Sequence, residues 1–221
     1  MRHWLSKGGS FLALLCSLLL GAGPALAHPH VWVMASAEVI FNADGAVAAI
    51  RHTWDFDEAY TSFAIQGLDT SKDGKLSREE LAELAKENAE SLHEFGFFTT
   101  LKIDGRRQNF GQPKDYFMET KGPLLRFVYT LPLAAPVKPR TSVTLEVADN
   151  TFFVAFDLVE GDQAVTLAGA PQGCTVKITR AKTQAPQQTL SEQAFEALRG
   201  QFGQNGDVGL QFSPKVLIAC P

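Results

Sequence analysis

The chain has 221 residues with 24 acidic against 20 basic side chains, a formal charge of −4. That acid excess removes the electrostatic case for nucleic-acid binding. The length suffices for one sizeable core, and we read one compact domain carrying an insertion.

Residues 1–27 read as a signal peptide. Arg2 and Lys7 give a positive start, Phe11 to Leu20 an apolar stretch, and Ala25-Leu26-Ala27 the small-x-small form that signal peptidase accepts. The apolar run is about ten residues against the roughly 20 needed to span a bilayer, so we expect a periplasmic protein that is not membrane-embedded. Cys16 follows Leu14 and Leu15 where lipidation needs small residues, which argues against a lipid anchor. Cleavage after Ala27 removes two basic residues and no acid, taking the formal charge from −4 to −6. Residues 28–221 are then a single α+β domain.

From Val31 the pattern alternates. "VWVMASAEVIF" and "AVAAIRHTWDF" read as a β-hairpin joined at "NADG", with Asp44-Gly45 as the turn. If those two residues are central, Trp32 faces Asp57 and Met34 faces Asp55. At Glu58 the period becomes helical: Tyr60, Phe63, Ala64 and Leu68 form one apolar stripe, and Leu81, Leu84, Ala85 and Leu92 another that ends at Gly96. Residues 58–95 are therefore a helix-loop-helix insertion.

The loop between those helices, "DTSKDGKLSREE", fits the twelve-residue EF-hand pattern. Asp69, Ser71 and Asp73 stand at positions 1, 3 and 5, and Gly74 at 6 permits the sharp turn. Lys75 at 7 offers its carbonyl, Ser77 at 9 can act through water, and Glu80 at 12 can close the site with two oxygens. With three acids, two lysines and no second EF-hand to pair with, the expectation is weak Ca²⁺ binding, about 10⁻⁵ to 10⁻³ M. That suits a structural staple.

After Phe97 the chain returns to strands, with turns at Asp104-Gly105 and at Asp149-Asn150 inside "SVTLEVADNTFFVAFDLV". Sixteen phenylalanines and many β-branched residues favour a sheet-built core. "KTQAPQQ" reads as a polar connector. Thr189 and Glu192 form a capping box opening a short C-terminal helix over "LSEQAFEAL", and "VGLQF" or "KVLIAC" supplies a last strand. The fold class is α+β: a mainly antiparallel sheet or sandwich with the EF-hand-like insertion. Cys174 and Cys220, the cysteines left after cleavage, are expected to form a disulfide in an oxidising compartment.

The chemistry concentrates at His28-Pro29-His30. A free terminal amine with the His28 imidazole chelates nickel, cobalt, zinc or copper, with His30 as a further ligand. Pro29 lacks the amide proton that the histidine-third mode requires. Residues two apart on a strand share a face, so His28 and His30 should point together, with Asp57 and Asp55 as carboxylate partners. His52 is the weaker candidate, since beside Trp54 it reads as a hydrogen-bonded core histidine. His93 near a helix end suits the helix dipole and needs no ligand role.

"AHPHVWV", "HTWDFDEAY" leading into "DTSKDGKLSREE", and "DNTFFVAF" resemble the bacterial periplasmic domain of unknown function 1007 family. The resemblance implies a periplasmic component of an uncharacterised ABC-type or nickel-cobalt transport system, with a membrane permease or ABC transporter as partner. Carried by residue, it points to His28, His30, His52 to Asp57 and Asp69 to Glu80. Our expectation is a non-enzymatic metal-binding accessory protein. The rivals are a histidine-brace copper oxidoreductase and a calcium-stabilised adhesion or scaffold domain.

Overall fold

A computed structural model describes residues 27–181, 190–202 and 208–221. Residues 1–26 of the predicted leader, Cys16 included, the connector 182–188 and Thr189 of the capping box lie outside them.

The strands are β1 (Ala27–His28), β2 (Val31–Phe41), β3 (Val47–Phe56), β4 (Thr99–Ile103), β5 (Arg106–Arg107), β6 (Lys114–Lys121), β7 (Leu124–Val137), β8 (Ser142–Val147), β9 (Val154–Leu158), β10 (Val165–Ala168), β11 (Thr175–Thr179), β12 (Leu190–Ser191) and β13 (Lys215–Ala219). Among the described residues three α-helices accompany them: α1 (Glu58–Ala64), α2 (Ala82–Ser91) and α3 (Glu192–Phe202). One sheet runs β10-β2-β3-β7-β6 with β9 also on β2, and a second runs β11-β13-β8-β4-β5. A two-stranded pair joins β1 to β12.

The first hairpin has the register that its turn implies. Met34 pairs with Asp55 and Val33 with Phe56, and the Asp57 N–H donates to the Trp32 carbonyl at 3.0 Å. The Asn42 side chain accepts from the N–H groups of Asp44 and Ala46, and Gly45 takes φ +73°, which glycine allows without a Cβ penalty. A bulge at Ile40/Phe41 absorbs the turn irregularity before the paired stretch begins. Alternation along β2 then buries Val31, Val33, Ala35, Ala37, Val39 and Phe41.

Residues 142–159 depart from the hairpin expected of them. The turn at Asp149-Asn150 carries the chain from one sheet to the other: β8 pairs antiparallel with β4 and β13, while β9 lies parallel to β2. β10 is parallel to β2 as well, so the first sheet is mixed, whereas the second is antiparallel throughout. A parallel pairing leaves no local turn signature, because its partners are distant in sequence. Of the two candidate last strands, "KVLIAC" forms β13, and Gly209–Gln211 is a 3-10 turn.

Both sheets supply one hydrophobic core, from Val39, Ile50 and Leu131 on one side to Leu101, Leu145 and Ile218 on the other. α2 packs on β6 and buries Ala85 and Ala89, with Leu81 and Leu92 buried at its two ends. On α1 the predicted stripe holds for Tyr60, Ala64 and Leu68, which pack partly buried against the core, and is corrected at Phe63, which is 73% exposed. The fully buried residue of the helix is Thr61, whose hydroxyl accepts the Leu125 N–H at 3.0 Å. The helix is only 7 residues long, so Leu68 lies beyond its end.

The Cys174–Cys220 disulfide is formed, with Cα atoms 4.1 Å apart and a sequence separation of 46. It clamps the ends of β11 and β13, whose adjoining residues Thr175 and Ala219 are paired. A closed loop of this length is worth about 2–4 kcal/mol. A smaller second core of Phe152, Ala155, Phe195, Val208 and Phe212 holds α3 against the body.

Candidate functional site

His28 and His30 do come together, by a route other than a shared strand face. Pro29 has no N–H to extend a ladder, so β1 ends at His28, and β2 starts afresh at Val31 in another sheet. The His30 N–H donates to the Phe153 carbonyl at 2.9 Å. The two imidazoles sit edge to face with centroids 5.1 Å apart. His28 stacks on Phe195 of α3 at 4.2 Å, and His30 lies against Phe153 at 4.6 Å. The Nδ1 atom of His28 is buried and has no hydrogen-bond partner among the described residues, while His30 is exposed. Phe153 and Phe195 support the pair, and only their abundance as phenylalanines was visible in the sequence.

The carboxylates expected beside this pair are held by other partners. Asp55 accepts from Arg126 Nε at 2.6 Å and Nη2 at 2.9 Å, and from Lys121 Nζ at 2.9 Å. Arg126 is its direct cross-strand neighbour on β7. Burial raises the Asp55 pKa, but the hydrogen bonds and charges of Arg126 and Lys121 outweigh that, and the net shift is downward. Asp57 is the N-cap of α1, taking the Tyr60 N–H at 2.9 Å on one oxygen and the Trp32 N–H at 2.8 Å on the other. With both oxygens on backbone donors, Asp57 is a helix cap.

His52 is buried within an aromatic cluster, stacked on Tyr129 at 4.9 Å. Its Nε2 lies 3.4 Å from the Thr99 hydroxyl, and that hydroxyl donates to the Phe97 carbonyl. The hydroxyl oxygen is thus left to accept, which assigns the proton to Nε2. Desolvation lowers the His52 pKa to about 3, so the ring is neutral. His93 is exposed, its Nδ1 2.7 Å from the Glu90 carbonyl.

Loop 69–80 is wound around its acidic side chains. Asp69 accepts from the N–H groups of Asp73 and Gly74, and Asp73 from that of Lys75. Glu80 reaches back across the loop: Oε1 accepts from Ser71 N and Thr70 Oγ1, and Oε2 from Ser77 N and Oγ. The Ser77 and Ser71 backbone donors, foremost, pull its pKa down to about 2. Oxygen donors on a tight loop are the right chemistry for a hard cation. In this arrangement Glu80 closes the loop onto backbone donors, and no group of three or more His, Cys, Asp or Glu is gathered for a metal among the described residues.

The model of a family described as "Protein of unknown function (DUF1007)" matches residues 13–220. The chain belongs to that family. It is also 22% identical over 209 residues to an uncharacterized protein of Haemophilus influenzae, covering 94% of this chain and 98% of the relative. The match to the DUF1007 family therefore spans both sheets and the helices between β3 and β4. No helix among the described residues is long and apolar enough to cross a membrane. The disulfide is compatible with an exported protein.

Proposed function

We propose that this protein is a periplasmic metal-binding accessory component of a transition-metal transport system, with His28 and His30 as ligands for nickel, cobalt, zinc or copper. The observation that carries this reading is the pair of imidazoles 5.1 Å apart, each backed by a phenylalanine, with the buried Nδ1 of His28 lacking a protein partner. Two imidazoles at this separation are close enough to share one ion, and an imidazole lone pair in an apolar setting gains more from a metal than from nothing. On a chain that begins at His28, the terminal amine adds a third nitrogen that closes a chelate ring with the same imidazole. The protein's role is to bind and present the ion to a membrane permease or ABC transporter.

The test is calorimetric titration of protein with a verified His28 terminus against each of the four ions, beside a His28→Ala/His30→Ala variant. Micromolar or tighter binding that weakens at least about tenfold in the variant is expected. Equal affinity for both proteins would refute the assignment. Reductant-dependent peroxide consumption by the copper-loaded protein would move the reading to a histidine-brace oxidoreductase, and none is expected.

Loop 69–80 is proposed as a calcium staple, supported by its donor set and by the hydrogen bonds that already turn Asp69 and Asp73 inward. Calcium must pull Glu80 from its four hydrogen bonds, which fits a weak site. At about 10 mM calcium and a Kd of about 10⁻⁴ M the gain is about 2.7 kcal/mol. Thermal melting with and without calcium should show that gain, and Glu80→Gln should remove most of it. A calcium-independent melting temperature in the parent protein would count against the site.

A further inference from the structure

A cavity of about 710 Å³ opens on the side of the first sheet that faces the turn at Asp149-Asn150 and the 3-10 segment after α2. Its size is that of small-molecule sites. Aromatic side chains form much of the apolar wall: Trp54, Phe56 and Phe156 come from the first sheet, Phe98 from the 3-10 segment, and Phe153 from the turn. Trp54 is 3% exposed, and its indole N–H is buried with no hydrogen-bond partner among the described residues. A donor left so is costly in a folded protein, and a ligand acceptor reaching it would recover that cost.

Left-handed backbone occurs in two segments that contribute to the lining. Gly96, Phe97 and Phe98 take φ of +59°, +59° and +47°, and Phe152, just before Phe153, takes +60°. Left-handed φ at bulky residues is maintained only where surrounding structure enforces it, and it concentrates at ligand clamps. Beside these segments Phe95 is 56% exposed and stacked on Phe98 at 5.2 Å, and Phe153 is 48% exposed; both line the cavity. Charge at the lining does not favour an ion of either sign. Glu94 and Arg107 bring one charge of each sign to the lining, and the Asp149 carboxylate is taken up by the N–H groups of Thr151 and Val154 and by the Thr151 hydroxyl.

We infer that this cavity binds an uncharged, flat aromatic small molecule that offers one hydrogen-bond acceptor to the Trp54 indole. Aromatic walls favour offset and edge-to-face contact with a ring, the volume admits a fused bicyclic body, and the absence of a dominant charge at the lining selects a neutral one. This ligand is independent of the metal ions proposed for His28 and His30, although Phe153 borders both places.

The probe is 6-propionyl-2-(dimethylamino)naphthalene, a neutral bicyclic ketone whose emission moves to the blue in apolar surroundings and to the red when its carbonyl is hydrogen-bonded. Titrated into the purified protein with a chelator present, it should bind saturably, one per chain, with blue-shifted emission. Thr100→Trp, which places a large ring in the cavity, should weaken binding at least about tenfold. Trp54→Phe keeps the wall but removes the donor, and should weaken binding about fivefold while shifting the bound emission further to the blue. Phe95→Ala removes an exposed ring, leaves the core untouched, and should weaken binding about threefold, so the proposal stays testable even where a core variant fails to fold. No saturable binding by the folded parent would overturn the proposal. So would unchanged affinity in Thr100→Trp and Phe95→Ala, or a Trp54→Phe variant that binds with parental affinity and emission.

Discussion

Acidification from pH 7 to about 4.5 is expected to cost the protein roughly 2–3 kcal/mol through His52 alone. The ordinary histidine pKa of 6.5 applies to the unfolded chain, and burial takes the folded value to about 3. The folded pKa is lowered, so above 6.5 both states are neutral and nothing is lost. Between 6.5 and about 3 the unfolded chain takes a proton that the folded one refuses, and stability falls by about 1.4 kcal/mol per pH unit. The carboxylates act later. Asp55 lies below its usual 3.8 and Glu80 drops from 4.5 to about 2, so their contributions are present above those usual values and are lost as pH falls further. Urea unfolding across pH 7 to 4.5 samples the upper of these two windows almost alone. His52→Phe keeps a ring stacked on Tyr129 and should flatten the upper one, leaving a variant more stable than the parent near pH 4.5 once its own neutral-pH difference is subtracted. Parallel curves for the two proteins would show that His52 is not the group responsible.

Gly209→Ala should destabilise the protein by about 3 kcal/mol or more, at the upper end of overpacking effects. A Cβ at this position would lie 1.7 Å from the Asp149 carbonyl oxygen and 2.8 Å from its carbon. Backbone cannot yield as a flexible side chain can, so the turn at 149–152 and the segment at 208–212 must part. Those segments carry Phe152 and Phe212, whose rings pack at 4.8 Å in the second core. Phe195 belongs to that core and is also the ring on which His28 stacks. The variant should therefore lose transition-metal affinity along with stability, although Gly209 touches neither histidine. Gly200→Ala is the matched control: it sits exposed in α3 with nothing within 4 Å of an added Cβ, and should gain up to about 1 kcal/mol. Chemical denaturation of both variants, followed by the metal titration, gives the comparison. Parental stability in Gly209→Ala would mean that the two segments are not packed as described.

Local physics made a good part of the fold legible. The Asn42-Ala43-Asp44-Gly45 turn and the alternation on either side determine the first hairpin down to its register, because side chains on a strand repeat every two residues and a turn allows few alignments. The helical stripe through Leu81, Ala85 and Leu92 was readable because its period is local, and the two cysteines outside the predicted leader left one intramolecular pairing. Phe63 was misplaced because a pattern of apolar residues does not reveal how short the helix beneath it will be. Asp55 and Asp57 were associated with the histidines from strand register. Register places backbone neighbours but does not say that Arg126, 71 residues away, lies across the next pairing, or that Asp57 will cap α1.

The sequence by itself thus determined the hairpin register, the helical insertion with its acidic loop, and the disulfide, all of which depend on short-range periodicity, turn chemistry or a simple count. Only the tertiary structure decided that β9 and β10 lie parallel to β2, that His28 rests on Phe195 from the far end of the chain, and that an aromatic cavity surrounds the Trp54 indole. Those features come from contacts between residues up to 167 positions apart, as His28 and Phe195 are. Long-range packing of this kind is chosen by the burial of the whole core, for which no local pattern in the chain provides a record.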